Sequence, residues 1–393
     1  MASEQRTLPI RITLVELRPC LKTIGGTINL TPLAMRYLDY LGAGTRLRRR
    51  SIILDAGLDY ISFRTGRRIG NIWGGIGGVR VARHDLVDVL LETLVQEHSE
   101  VVEIHWNKRV AQIREKSEKV VLKFEDGSRH SADVLLGCDG LHSAARRLWV
   151  EPDRKKSYTG RAIAMGWGKA KDVSMRFSSG DPALRDTAIF SSPNGILLAS
   201  YYEPTRTMVY FAHIMYMEEP KLDERDGWKA AGDDQLRLKA DMSSCFKAGR
   251  VKGVLGAVED CEKWDLYPVY VLPAEGRWYE GRVLLLGDAA HAMPPQGEST
   301  GLAIEDAILL AHILRKRGSQ TVEQMFSQFQ ALRKPEIDKY YKDAMWAMQY
   351  GFQKRSWLSS IIMDWAIWVY LLLKRWRQQN HFDRDVRKLP LLG

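Results

Sequence analysis

The chain has 393 residues, 45% of them apolar, enough for two globular lobes with cores of their own. It holds no low-complexity tract or repeat, which excludes disordered and solenoid classes. The net charge of +10 comes from basic and acidic residues interspersed along the whole length. That is the pattern of a solvated basic surface suited to anionic small molecules, not of a nucleic-acid-binding run.

The first element reads as a β-branched, apolar strand over Ile10 to Glu16 (IRITLVE). Leu30 to Leu41 (LTPLAMRYLDYL) reads as a helix, with Thr31 as N-cap, Pro32 in its first turn and Gly42 as its stop. His84 to His98 is a second amphipathic helix, and strands alternate with turns from Val101 to Val134. Tyr158 to about Val271 is mostly strand-like, with turns at Asp181-Pro182 and Pro193-Asn194-Gly195. Val283 to Leu286 is a short buried strand, Ser299 to Lys316 a long helix, and the pattern after Gly318 is helical almost to the end. The order is α/β, then β-rich, then α/β, then helices, which implies one nucleotide-binding domain interrupted by a second lobe.

Cys20, Cys138, Cys245 and Cys261 lie far apart, without disulfide or metal spacing. They fit buried thiols in a reducing compartment, and Met1 to Arg11 has no apolar leader segment, so a cytoplasmic location is expected. Trp357 to Leu373 (WLSSIIMDWAIWVYLLL) is strongly apolar, with Lys354 and Arg355 before it and Lys374, Arg375 and Arg377 after it. A spanning helix wants about 20 apolar residues, and Asp364 sits at mid-depth here, so a docked helix or one touching a membrane surface is expected instead.

Gly281 to Ala307 (GRVLLLGDAAHAMPPQGESTGLAIEDA) carries the most chemistry. A buried strand ends at Gly287-Asp288, where the carboxylate can accept hydrogen bonds from sugar-like hydroxyls at the carboxyl end of a parallel sheet. A Pro-rich loop through Gly297 follows, and then a helix start whose free N–H groups favour an anion. Val134 to Arg147 (VLLGCDGLHSAARR) is a second strand-turn-helix, delivering Asp139-Gly140 ahead of Arg146 and Arg147. Glu16, at the end of the first strand, is placed to accept from a ribose hydroxyl. His291 suits a hydrogen bond that orients this loop better than a general-base role.

These segments resemble the GD and DG motifs of the FAD monooxygenases of the aromatic hydroxylase family, the group of para-hydroxybenzoate and salicylate hydroxylases. The resemblance implies an α/β fold: a Rossmann-like FAD-binding domain, incomplete at its N-terminus, interrupted by a β-rich substrate lobe and followed by C-terminal helices. The corresponding boundaries are 1–150 and 273–330 for the two parts of the FAD-binding domain, 151–272 for the substrate lobe and 331–393 for the helical region. The resemblance also assigns cofactor contacts to Glu16, Gly26, Arg83, Asp139, Gly287, Asp288, Gly297 and Gly301, and places the Arg146–Arg147 pair near anionic cofactor groups. Ser299 departs from the family's second glycine.

The family opens with strand, GxGxxG and helix, whereas Glu16 has only 15 residues before it and none is glycine. The expectation is a chain lacking the phosphate-cradling unit, and the alternative reading is a catalytically impaired flavoprotein-like fragment. The implied reaction uses NAD(P)H, FAD and O₂ to hydroxylate or epoxidise an apolar or aromatic small molecule, in the manner of a secondary-metabolite tailoring enzyme. A flavin halogenase is disfavoured, because Trp167 is followed by Gly-Lys where that group has WxWxIP. On the substrate lobe, Met165 stands where phenol hydroxylases of the family often have an arginine, which argues against a phenolate. Tyr201 is the catalytic candidate facing the ring.

Overall fold

The computed structural model describes residues 10–21, 25–72, 74–75, 77–192, 195–220, 224–247, 250–295, 297–316, 318–351 and 356–391. The expected turn residues Pro193 and Asn194, and the basic pair Lys354 and Arg355, lie outside the described residues.

The chain begins with β1 (Ile12–Val15), β2 (Thr27–Leu30) and α1 (Pro32–Tyr40). Thr31 Oγ1 accepts the Ala34 N–H at 3.3 Å, so the helix starts where its capping hydroxyl and N-terminal proline place it. Gly42, with φ of 77°, ends it. Next come α2 (Gly44–Arg49), β3 (Ser51–Ile53), β4 (Leu58–Ser62), β5 (Arg67–Ile72), β6 (Val79–Ala82) and α3 (Arg83–His98). Then follow β7 (Val102–His105), β8 (Val110–Lys116), β9 (Lys119–Phe124), β10 (Arg129–Ala132) and β11 (Leu135–Gly137). The middle of the chain forms β12 (Ser157–Lys169), β13 (Thr187–Ser192), β14 (Gly195–Tyr201), β15 (Met208–Tyr216), α4 (Glu224–Asp233), α5 (Gln235–Phe246), α6 (Val254–Asp260) and β16 (Trp264–Val271). The last part is β17 (Tyr279–Glu280), β18 (Val283–Leu285), α7 (Asp288–His291), α8 (Ser299–Arg315), α9 (Val322–Gly351) and α10 (Trp357–Asp383).

The dinucleotide-binding part holds two parallel pairings, β1 with β7 and β11 with β18. Its core joins α1, β18, α8 and α9 through Tyr37, Leu284, Leu309 and Phe329. The other lobe is a seven-stranded sheet in the order β16-β12-β15-β14-β13-β4-β5. Residues 58–72 therefore join the sheet of the later lobe, although the expected boundary assigns them to the first 150 residues; β4 pairs in parallel with β13 across that boundary. Three helices also occupy part of the stretch read as strand. The apolar positions Leu238, Met242 and Phe246 recur every four residues in α5, and they cover one face of the sheet.

Buried under that face is His213 of β15. Its Nδ1–H donates to the Ile196 carbonyl at 3.1 Å, and its Nε2 has no hydrogen-bond partner among the described residues. Burial pushes its pKa down from 6.5 to about 4. The folded protein therefore keeps His213 neutral, while the unfolded chain takes up a proton below about pH 6.5. Its contribution is complete above that pH and drains away as pH falls towards 4, by about 3 kcal/mol in all. Urea unfolding at a series of pH values should show this slope, and His213→Gln should flatten it. Equal slopes for the two proteins would refute the assignment.

The cysteines depart from expectation: all four are free thiols, but Cys20 and Cys138 are exposed and only Cys261 is fully buried. Cys20 follows β1, and Cys138 sits in the turn leaving β11.

Candidate active site

The late strand β18 is buried at all three positions and hands over to Gly287 with φ of 57° and ψ of −139°, a conformation for which glycine is suited. A Cβ at Gly287 would stand 3.2 Å from the Ala303 Cβ, so the same residue lets α8 pack against the turn. Asp288 begins the next element with its side chain exposed, at the carboxyl end of the β11–β18 pair.

Behind this turn lies a buried charge network. Asp306 of α8, fully buried, accepts the Gly287 N–H at 2.9 Å and faces His291 Nε2 at 2.7 Å and Arg333 Nε at 2.7 Å. Burial pushes the Asp306 pKa up, but His291 and Arg333 outweigh it and hold the carboxyl below its ordinary range. Arg333 also donates to Glu305 at 3.0 Å and to the Leu302 carbonyl at 3.0 Å, and Arg384 donates to Glu305 at 2.7 Å. His291 thus orients the loop. Sequence reasoning missed Asp306 and Arg333, although two acids within a helix of otherwise apolar pattern were a signal.

Asp139 follows β11 and caps its own turn: one carboxylate oxygen accepts the N–H groups of Ala144 at 2.5 Å and Ala145 at 3.2 Å. Gly140 takes φ of 73°, and a Cβ there would meet nothing within 4 Å, so the space beside the cap is open. Arg146 corrects the expectation for the arginine pair. It is 2% exposed and donates to the carbonyls of Ala289 at 3.1 Å and Leu141 at 2.7 Å, so it ties the Asp139 turn to the Asp288 turn. Arg147 is exposed and donates to the His142 carbonyl at 3.3 Å.

Gly26 and Arg83 meet directly, through an Arg83 N–H donated to the Gly26 carbonyl at 3.0 Å. The Arg83 side chain is exposed and has no acidic partner among the described residues. Its guanidinium lies over Gly25, where a Cβ would come to 3.3 Å from it. Glu16 stands on the separate β1–β7 pair. It takes the Arg18 N–H on one oxygen at 2.9 Å, and no hydrogen bond among the described residues joins it to the other candidates. Gly297, with φ of 82°, precedes α8, and Gly301 lies where α8 faces α1, with room for a Cβ in ordinary contact with Ala34 at 3.5 Å.

The seven-stranded sheet presents its other face to the core of the dinucleotide-binding part, through Tyr60 and Ile189. Strand register puts Met165, Trp167, Leu198 and Tyr210 on this face too. Tyr201 alternates to the opposite side, where it packs on the helix-covered core and under Arg206. Two aromatic groups on the site face, Trp167 and Tyr210, have ring centroids 5.7 Å apart. Tyr202 lies 6.3 Å from Trp167, edge to face. The Tyr210 ring lies so close to Gly26 that a Cβ there would fall 2.0 Å from it. Burial pushes the Tyr210 hydroxyl up to about 12, so it stays a neutral phenol.

Arg80 of β6 also reaches this corner. It is 2% exposed, donates to the Thr27 hydroxyl, has no partner at Nε, and is in no ion pair among the described residues. Burial lowers its pKa to about 10, against the opposing pull of Tyr210 and Asp186, so it remains a cation at neutral pH. An arginine inside the apolar strand VRVA was the sequence signal for it.

Comparison with known proteins places this arrangement. A family profile described as "FAD binding domain" matches residues 79–343. The 6-hydroxynicotinate 3-monooxygenase of Bordetella bronchiseptica is 24% identical, over 85% of each chain. The 3-amino-4-hydroxybenzoate 2-monooxygenase of Streptomyces platensis is 27% identical, over 85% of this chain and 80% of its own. A salicylate hydroxylase substrate complex superimposes with a TM-score of 0.77 at 18% identity, over 98% of this chain and 99% of the other. Klebsiella pneumoniae HpxO, complexed with FAD and uric acid, gives 0.73 at 20% identity over 95% of each chain.

Proposed function

The chain belongs to the FAD binding domain family and is an FAD-dependent monooxygenase of the aromatic hydroxylase class, and from this premise we propose that its substrate is an aromatic ring bearing an acidic group, held by Arg80. The carrying observation is the buried Arg80 guanidinium, with a hydroxyl but no carboxylate against it, beside Gly26 and Tyr210. A buried cation with no carboxylate in contact is costly, and an anionic ligand would relieve that cost. The similar proteins act on hydroxynicotinate, aminohydroxybenzoate and salicylate, which favours ring hydroxylation over alkene epoxidation. A role in tailoring secondary metabolites is compatible with this chemistry and is part of the same proposal.

The residues present fit FAD. Asp288 offers an exposed carboxylate at a strand end, Arg83 an exposed cation without an acidic partner among the described residues, and Gly140 a turn with open space beside it. In this reading Asp288 accepts from the ribityl hydroxyls and Glu16 from the adenosine ribose. Arg83 balances cofactor charge, and the backbone at Gly26 and Gly297 lies against the ring system. Bound there, FAD would supply the redox chemistry: NAD(P)H, a proton, O₂ and the arene give NAD(P)⁺, water and the hydroxylated arene. The protein's own part is positioning and exclusion of water. Arg80 holds the acidic group, Trp167 and Tyr210 wall the ring, and the Tyr210 hydroxyl is available as a neutral donor.

Substrate-dependent NAD(P)H oxidation with a panel of aromatic acids and their methyl esters tests this reading. Arg80→Gln should raise KM for an acid about 30- to 100-fold, the loss of one charged hydrogen bond, while the ester changes little. Equal losses for acid and ester, with the flavin spectrum intact, would remove Arg80 from substrate recognition.

A further inference from the structure

Helix α10 is amphipathic the wrong way round for a helix facing water. Its inner stripe carries Ser360, Asp364, Ile367 and Leu371, at spacings of four, three and four residues. Asp364 is the only Asp, Glu, Lys or Arg from 356 through 373, and it is turned inward. Its carboxylate accepts from Ser62 Oγ at 2.7 Å and from Arg64 at 2.8 Å. Leu371 rests on the β5 backbone, where a Cβ at Gly70 would meet it at 2.7 Å. The acid that argued against a membrane span on sequence grounds is therefore the peg that docks the helix.

From Leu358 to Leu373 the outer arc is apolar. Leu358, Ile362, Trp365, Val369, Leu372 and Leu373 follow one another around it, with exposure from 45% at Val369 to 70% at Ile362. A contiguous apolar surface of this kind marks an interaction site.

We propose that this outer face of α10 lies in the headgroup region of an anionic lipid bilayer and anchors the enzyme to the membrane surface. The charge pattern selects that occupant. The sequence places Lys354 and Arg355 before the apolar stretch of the helix and Lys374, Arg375 and Arg377 directly after it, in a chain of net charge +10. Basic residues at both ends of an apolar face suit anionic headgroups. Two copies of the face, paired parallel or antiparallel, would bring basic end against basic end. Trp365 and Trp368, stacked edge to face at 5.7 Å, are the residue type that settles at the lipid–water boundary. The helix lies flat and does not cross: Asp364 pins it to the folded domain, and no helix among the described residues is long and apolar enough to span a membrane.

Flotation of the full-length protein with vesicles tests the anchor. The protein should rise with phosphatidylcholine vesicles containing phosphatidylserine, and less with phosphatidylcholine alone or at high salt. The double variant Ile362→Glu, Val369→Glu alters only exposed side chains, and should weaken partition about tenfold or more with circular dichroism unchanged. Failure of the unaltered protein to float, or equal flotation of the variant, would overturn the proposal. So would a dimer, seen by sedimentation velocity without lipid, that the variant dissolves, because the face would then belong to a second copy.

Discussion

Replacing Asp306 by alanine is expected to cost about 4 kcal/mol of stability, the range for removing one partner from a buried ion network. Its carboxylate neutralises Arg333, faces His291 and accepts the Gly287 N–H, all inside the core. Alanine would leave the Gly287 donor and His291 without that acceptor, while Glu305 and Glu336 still face Arg333. Since Gly287 carries Asp288, the cofactor turn should loosen with the core, and FAD should be lost on gel filtration. Asp306→Asn keeps the shape but removes the charge, and should fall between alanine and the natural residue. Urea unfolding measures both; a loss under about 1 kcal/mol for alanine would show that the network does not hold the turn.

The second large effect is expected at Gly26. Its φ is not left-handed, so the requirement there is steric. A methyl group would fall 2.0 Å from Tyr210 Cε2 and 2.1 Å from Cζ, on a ring confined by Trp167 and the sheet. Gly26→Ala must move either the loop or the ring, at a cost of about 3 kcal/mol, the upper end for overpacking. It should also displace Arg83, whose N–H is bonded to the Gly26 carbonyl. Thermal unfolding and kcat/KM for an aromatic acid would both fall. Adding Tyr210→Leu should recover much of the stability without restoring activity. A Gly26→Ala protein as stable as the natural one would mean that the ring yields freely and does not form a wall of the site.

The local devices of the chain were legible without coordinates. Thr31, Pro32 and Gly42 bound α1 because capping, fixed φ and left-handed termination act within a few residues of sequence. Gly287-Asp288 at the end of an apolar strand was legible for the same reason, because strand, turn and helix start are contiguous. The three helices inside the expected β-rich stretch were the main local misreading. Their four-residue spacing was present in the sequence, and the strong strands around them outweighed it.

What the residues determined alone was therefore the set of motifs and the family resemblance. Turn chemistry and hydrogen-bond caps depend on near neighbours in the chain, and the chain order shows those directly. Which carboxylates are tied into the fold was decided only by tertiary structure. Asp139 caps its own turn, Arg146 staples two turns together, and Asp306 accepts the N–H of Gly287 in the turn that presents Asp288. The same holds for aromatic choice: Tyr201 and Tyr210 look alike in sequence, but side chains alternate along a strand, and register with Trp167 puts Tyr210 on the site face and Tyr201 behind it. The partners of Asp364 were decided in the same way. Its partners Ser62 and Arg64 lie about three hundred residues away in the chain, and only packing could reveal that they turn the apolar face of α10 outward.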